Sequence, residues 1–288
     1  KDAATLVQLA DLTMYQHKRG TPGVVGVFSS LLYDKLNEEQ RLRDGLRQAI
    51  QRQQFHVVYQ PIVNANDSSL WAVEALARWQ FNDQWISPAL FIPLAEKTGI
   101  IHDIGNWVLH RACIDTAQWP DDTLAVSVNV SVLQMLSDSF IRQVDQAINS
   151  SGLAPHRLHL EVTESIFADD MAILTDRIAA LKARHINIAI DDFGTGFSSL
   201  SLLQALDFDL LKIDRAFIQQ ITDGNDTIVR ATLLMAKEFG CRTVAEGIET
   251  PQQAEVLTAM GVDCLQGYLF AKPLEKKALL KWYTDRTG

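Results

Sequence analysis

Residues 157–192 read RLHLEVTESIFADDMAILTDRIAALKARHINIAIDD. Arg157–Thr163 is a short apolar, β-branched run, Met171–Arg184 a helical pattern, and Ile186–Asp192 a second apolar run that ends on two carboxylates. Strand, helix, strand in this order predicts two parallel strands of an α/β sheet with the helix packed outside.

Working outward, the same alternation continues. Further strand-like runs stand at Phe55–Val63, Leu70–Trp79, Leu124–Val130, Asp209–Ile213, Arg242–Ala245 and Val262–Leu265. Helical patterns fall at Pro88–Gln118, Val132–Ser150, Ser198–Leu206, Asp226–Phe239 and Pro251–Met260, with a last helix over Glu275–Asp285. Eight strands with outer helices predict a closed barrel rather than an open sheet. The fold class is therefore α/β, a TIM-type (β/α)8 barrel, with one irregularity. Only Asn64-Ala65-Asn66-Asp67-Ser68-Ser69 joins the first two strands. A parallel crossover needs about ten or more residues, so this link is a hairpin and the first strand is predicted antiparallel to the rest.

Before the barrel, Ala3–Lys18 is amphipathic and stops at Arg19-Gly20-Thr21-Pro22-Gly23, Val24–Phe28 suits a short strand, and a helix is expected over Asn37–Gln53. The break at residues 29–36 marks the expected boundary, which divides the chain into 1–34 and a barrel over 35–288. The chain starts at Lys1 rather than Met and is expected to be cut from a longer protein.

Of 288 residues, 47% are apolar and 21% charged, enough to bury a large core without disulfides. The net charge of −9 disfavours a polymeric nucleic acid as partner, because phosphate binding needs clustered Lys and Arg. No stretch has the roughly 20 apolar residues of a membrane span, so no membrane contact is expected from this chain. Cys113, Cys241 and Cys264 are odd in number and form no CxxC pair, which predicts reduced core thiols in a cytoplasmic protein.

Polar residues at the C-terminal ends of barrel strands build active sites. Here Glu74 follows Trp71-Ala72-Val73, Asn129 follows Val126-Ser127-Val128, and Glu161 and Glu164 flank Val162-Thr163. Asp191 and Asp192 follow Ile188-Ala189-Ile190, Lys212 lies in Leu210-Leu211-Lys212-Ile213-Asp214, Glu246 follows Thr243-Val244-Ala245, and Gln266 follows Cys264-Leu265. Any one of these reads equally well as a salt-bridged strand end. As a set they concentrate carboxylates with few cations, which costs several kcal/mol per unpaired ion. An all-oxygen donor set of this kind suits Mg²⁺ or Mn²⁺ rather than zinc. No HExxH and no Gly-x-Ser-x-Gly accompanies it. Asp192-Phe193-Gly194 matches a kinase metal-binding triplet without that family's other elements.

Glu74-Ala75-Leu76, Val128-Asn129-Val130-Ser131, Glu161-Val162-Thr163-Glu164, Asp191-Asp192-Phe193-Gly194-Thr195-Gly196, Leu211-Lys212-Ile213-Asp214, Ala245-Glu246-Gly247-Ile248-Glu249-Thr250 and Gln266-Gly267-Tyr268 resemble, in order, the motifs of the bacterial EAL-domain cyclic di-GMP phosphodiesterases. The resemblance covers about residues 35–285. It implies metal-dependent hydrolysis of cyclic di-GMP to linear pGpG, with two divalent metals, Mg²⁺ or Mn²⁺. It implies that Glu74, Asn129, Glu161 and Asp191 hold one metal, and that Asp191 bridges to a second held by Asp192 and Glu246. It further implies that Lys212 contacts the attacking water, and that Glu164 braces the loop Phe193–Ser199. Gln266 would lie near the water or metal shell, and Gln60, Leu76, Arg78 and Asp214 would line the substrate groove. Phe197 stands where the family often has Tyr, and Val130 where it commonly has Leu; neither is a ligand. The alternative is a receptor that binds cyclic di-GMP without cutting it, whose usual mark, a lost metal ligand, is absent here. A homodimer through Ser198–Leu206 is also implied. Residues 1–33, with Ala10-Asp11-Leu12-Thr13-Met14-Tyr15, are similar to the tail of a GGDEF domain.

Overall fold

The computed structural model describes residues 30–164, 171–194, 204 and 206–287. The GGDEF-like tail, most of the loop Phe193–Ser199 and nearly all of Ser198–Leu206 lie outside the described residues.

The chain folds into β1 (Phe55–Asn64), β2 (Leu70–Phe81), β3 (Gln84–Ile86), β4 (Ala125–Asn129), β5 (Leu158–Thr163), β6 (Asn187–Phe193), β7 (Leu210–Ile213), β8 (Arg242–Ala245) and β9 (Cys264–Gln266). The sheet order is β1-β9-β8-β7-β6-β5-β4-β2-β3, and β1 also pairs with β2, which closes the barrel. β1 runs antiparallel to both neighbours, and every pairing from β2–β4 round to β8–β9 is parallel. The hairpin inferred from the short Asn64–Ser69 link is present.

Inside the barrel, side chains alternate along each strand with period two. Ile62, Ala72, Ala125, Ala189, Leu210, Val244 and Cys264, one from each of seven strands, fill one buried layer. The residues between them, such as Val73, Val126 and Ile190, point outward into the larger core under the helices. Two residues further on from the inner layer stand Glu74, Asp191, Lys212, Glu246 and Gln266. The barrel therefore has an apolar plug, a polar mouth at the C-terminal strand ends, and a floor at the opposite end.

The helices are α1 (Ser30–Ala49), α2 (Pro88–Thr98), α3 (Ile101–Ala117), α4 (Val132–Met135), α5 (Phe140–Ser151), α6 (Met171–Lys182), α7 (Arg215–Ile218), α8 (Thr227–Phe239), α9 (Pro251–Met260) and α10 (Lys276–Thr287). Three differ from expectation. Helix α1 starts at Ser30 and ends at Ala49, so most of the expected break at 29–36 lies within it. The single helix expected over Pro88–Gln118 is split by Gly99, whose φ of 74° is the left-handed cap that ends α2. The helix expected over Val132–Ser150 is likewise split into α4 and α5. The unexpected β3 returns along β2 through Asn82 and Asp83, both at positive φ, a two-residue hairpin geometry that Asn and Asp tolerate.

All three cysteines are free; Cys113 and Cys264 are buried, with thiol pKa values pushed up to about 12 by burial, and Cys241 is half-buried. Among the described residues no helix is long and apolar enough to cross a membrane.

Candidate active site at the barrel mouth

Eight strands each deliver polar atoms to the mouth, where hydrogen bonds gather one group around Glu74 and ion pairs a second around Lys212. Glu74 Oε1 accepts from Asn129 Nδ2 at 2.6 Å, and its Oε2 accepts from Gln266 Nε2 at 2.6 Å. Gln266 Nε2 also reaches Gln60 Oε1 at 3.4 Å, and Gln60 Nε2 donates to the Ala271 carbonyl at 3.2 Å. Gln60 sits directly across from Glu74 in the β1–β2 register, so the reversed strand still contributes to the mouth.

Lys212 is the cation of the cluster. Its side chain is 1% exposed, and Nζ lies 2.7 Å from Glu161, 3.2 Å from Asp191 and 2.6 Å from Glu246. Burial opposes its charge, but Asp191, Glu161, Glu246 and Glu74 together raise its pKa well above the usual lysine value, so it stays an ammonium. One ammonium does not satisfy this many acids. Burial raises Glu161 well above the carboxylate range, against the pull of Lys212, and pushes Glu246 up to about 8. Asp192 is pushed up to about 6 by burial and by Asp191 and Asp214.

A regular strand would turn adjacent Asp191 and Asp192 to opposite faces. Here they face the same site. Asp192 has a φ of 55°, and the β6–β7 register shifts between Ile190 and Phe193. A non-glycine residue in this region costs of order 1 kcal/mol or more and is retained where function holds it. As a result, Asp191, Asp192 and Glu246 each offer an oxygen within 4.8 Å of the others, a group suited to a cation. The donor chemistry fits a hard divalent ion: oxygens only, several carboxylates, and incomplete internal neutralisation. Gln266 adds a buried Oε1 with no hydrogen-bond partner among the described residues.

The remaining expected residues stand around this centre. Glu164, at the end of β5, accepts from the Gly194 amide at 2.9 Å and so ties down the start of the loop after β6. Asp214 caps α7 by accepting from the Ala216 amide at 2.8 Å. Leu76 and Arg78 continue the Glu74 face of β2 beyond the barrel, both half-buried, with Arg78 Nη1 on the Ala77 carbonyl at 2.9 Å. Arg78 borders two clefts. One, of about 580 Å³, is lined by Leu76, Ile92, Ile104, Val108 and Val130; the other, of about 1120 Å³, by Trp85, Tyr268 and Lys272. Sequence reading quoted Ser131 within a motif without giving it a role and did not single out Glu96, which accepts from the Ser131 hydroxyl at 2.7 Å. The Ser131-Val132-Leu133-Gln134 spacing of a capping box marks Ser131 but gives no signal for Glu96.

The sequence profile described as EAL domain matches residues 43–273. The bifunctional diguanylate cyclase/cyclic di-GMP phosphodiesterase MucR of Pseudomonas aeruginosa is 39% identical over 94% of the chain, and the cyclic di-GMP phosphodiesterase NbdA of the same organism is 36% identical over 95%. The chain spans only 40% and 36% of those relatives' lengths. The solved structure of the PaMucR phosphodiesterase in complex with c-di-GMP superposes with a TM-score of 0.80 at 39% identity, covering 83% of this chain and 99% of that one.

Proposed function

This chain belongs to the EAL domain family, and from that premise we propose that it hydrolyses cyclic di-GMP to linear pGpG in a metal-dependent reaction. The observation that carries the reading is the mouth itself: buried Glu74, Glu161 and Asp191, with Asp192 and Glu246, converge around a single buried ammonium and remain under-neutralised.

Glu74, Asn129, Glu161 and Asp191 would hold one Mg²⁺ or Mn²⁺, and Asp191, Asp192 and Glu246 a second. When bound, such ions supply Lewis-acid stabilisation of phosphoryl charge and ease the deprotonation of water. The chain's own groups do the rest. Lys212, whose Nζ faces three carboxylates here, would turn one N–H donor to the attacking water and hold it in line with phosphorus once those carboxylates are engaged by metal. Water oxygen bonds to phosphorus, the bond to the sugar O3′ breaks, and O3′ takes up a proton. Arg78 meets charge on a phosphate oxygen. Glu164 keeps the loop after β6 in place through Gly194. The two clefts that meet at Arg78 suit a ligand with two bases joined by phosphates.

The test is product analysis. Cyclic di-GMP is incubated with the chain and Mg²⁺ or Mn²⁺, with an EDTA control, and the nucleotides are resolved by chromatography. Metal-dependent pGpG is the expected result. Intact nucleotide that nevertheless binds in calorimetry would move the assignment to a receptor.

A further inference from the structure

Asn129 stands at an exposed strand end. Its Nδ2 is engaged by Glu74, which leaves Oδ1 as the atom for a cation. The turn that follows is anchored at three points. Val130 N donates to the Glu161 carbonyl at 2.8 Å. Gln134 Oε1 accepts from Ser131 N at 3.2 Å, and Gln134 packs so closely on α3 that a side chain at Gly105 would fall 1.9 Å from its Nε2. Ser131 Oγ donates to Glu96 Oε1 at 2.7 Å.

The third anchor is unusual in its chemistry. Glu96 lies in the last turn of α2, where the helix dipole disfavours a negative charge. Lys97 beside it pairs with Glu39 on α1, at 3.6 Å. A carboxylate kept at a helix C-terminus and turned onto a hydroxyl makes a charge-assisted hydrogen bond, stronger than a neutral one. It ties α2 to the turn that carries Asn129.

We propose that Glu96 is a positioning residue for the metal centre: through Ser131 it sets the backbone after β4 and hence the direction of Asn129 Oδ1. This rests on the metal reading above. Outer groups that orient a ligand change metal affinity by about 10–100-fold when removed.

The test is direct Mn²⁺ binding to the full chain, by calorimetry and by the electron paramagnetic resonance signal of free Mn²⁺, without nucleotide. Glu96→Ala and Ser131→Ala are each expected to weaken Mn²⁺ about tenfold, and the double variant no more than either alone. Glu96→Gln, which keeps an acceptor for the Ser131 hydroxyl, is expected to stay within twofold to threefold of wild type. Thermal melting in EDTA identifies any variant that has simply lost its fold. Wild-type Mn²⁺ affinity in Glu96→Ala, with or without a change in nucleotide affinity, overturns the proposal, as does a Glu96→Gln that falls as far as Glu96→Ala. A wild-type chain that takes up no Mn²⁺ overturns the metal reading and this one together; a wild type that binds normally beside an unaffected Glu96→Ala overturns this one alone.

Discussion

The mouth and the floor of the barrel are made from the same strands, separated by one layer of apolar side chains, yet they treat charge in opposite ways. At the floor each charged group has a local partner. Arg242 stacks 4.6 Å over Trp71 and donates to Asn64, Asp263 accepts from the Thr243 amide and hydroxyl, and Asp209 accepts from the Ile188 amide and pairs with Lys182. His159, buried and 5.1 Å from the Trp71 ring, is kept neutral, its pKa lowered to about 4 by burial. At the mouth, acids crowd one lysine, and Glu161, Asp192 and Glu246 are pushed above their ordinary values. The floor's charges are matched locally, though His159 Nδ1 is buried without a hydrogen-bond partner among the described residues; the mouth is left short of positive charge. Locally paired charge and the proposed chemistry therefore stand at opposite ends, and variants can separate them.

The largest effect should come from the mouth. Lys212→Ala is expected to lower kcat by about 10²–10⁴-fold while cyclic di-GMP binding, measured by calorimetry, persists. Equal loss of binding and turnover would show that Lys212 holds the site together rather than the water.

Next is the pH response, which has opposite signs at the two ends. His159 has a folded pKa of about 4 against an ordinary 6.5, so the unfolded chain takes up its proton first and the His159 contribution is lost as pH falls from 6.5 towards 4. That loss amounts to about 3 kcal/mol at most. The Glu246 pKa of about 8 lies above its unfolded value, so in EDTA the folded mouth gains a proton, and stability, as pH falls below 8. Urea titrations of wild type and His159→Gln at pH 5 and 7.5 isolate the floor: the difference between the two proteins should change with pH, and a constant difference would remove His159 from the account.

Saturating Mn²⁺ at about 100 times its Kd should stabilise the wild type by about 2.7 kcal/mol for each site filled, seen as a raised Tm, and Glu74→Ala should lose the share of the site it helps to hold. A Glu74→Ala chain with the full metal shift would break the ligand assignment. The smallest effect is at the floor surface. Arg242→Ala should cost about 1 kcal/mol through the lost stack on Trp71 and leave kcat/KM unaltered; a change in turnover would show that the two ends are coupled through the apolar layer.

Much of this architecture was legible beforehand because it rests on periodicity and length. Strands with an apolar inner residue two before an acid, such as Ala72 before Glu74 or Ala189 before Asp191, expose their role in one dimension. The short Asn64–Ser69 link dictated the antiparallel strand. What escaped depends on single dihedral angles. The left-handed turn at Gly99 divides a helix whose apolar pattern continues across it; that Asp191 and Asp192 share one site was anticipated through the resemblance, but the positive φ of Asp192 that permits it was not, since alternation alone forbids it. The Glu96–Ser131 bond joins residues far apart in the chain, so no local pattern announces it.

The reversed first strand also decides where the chain can be opened. Because β1 begins at Phe55, opposite Trp79 near the far end of β2, the helix Ser30–Ala49 arrives beside the mouth, and it is the turn after Asn64 that faces the other way. Asn66, Asp67 and Ser68 on that turn are exposed. New termini made there by circular permutation, or a tag inserted there, would hang beneath the barrel and leave the mouth clear, whereas a graft at residues 50–54 would sit at its edge.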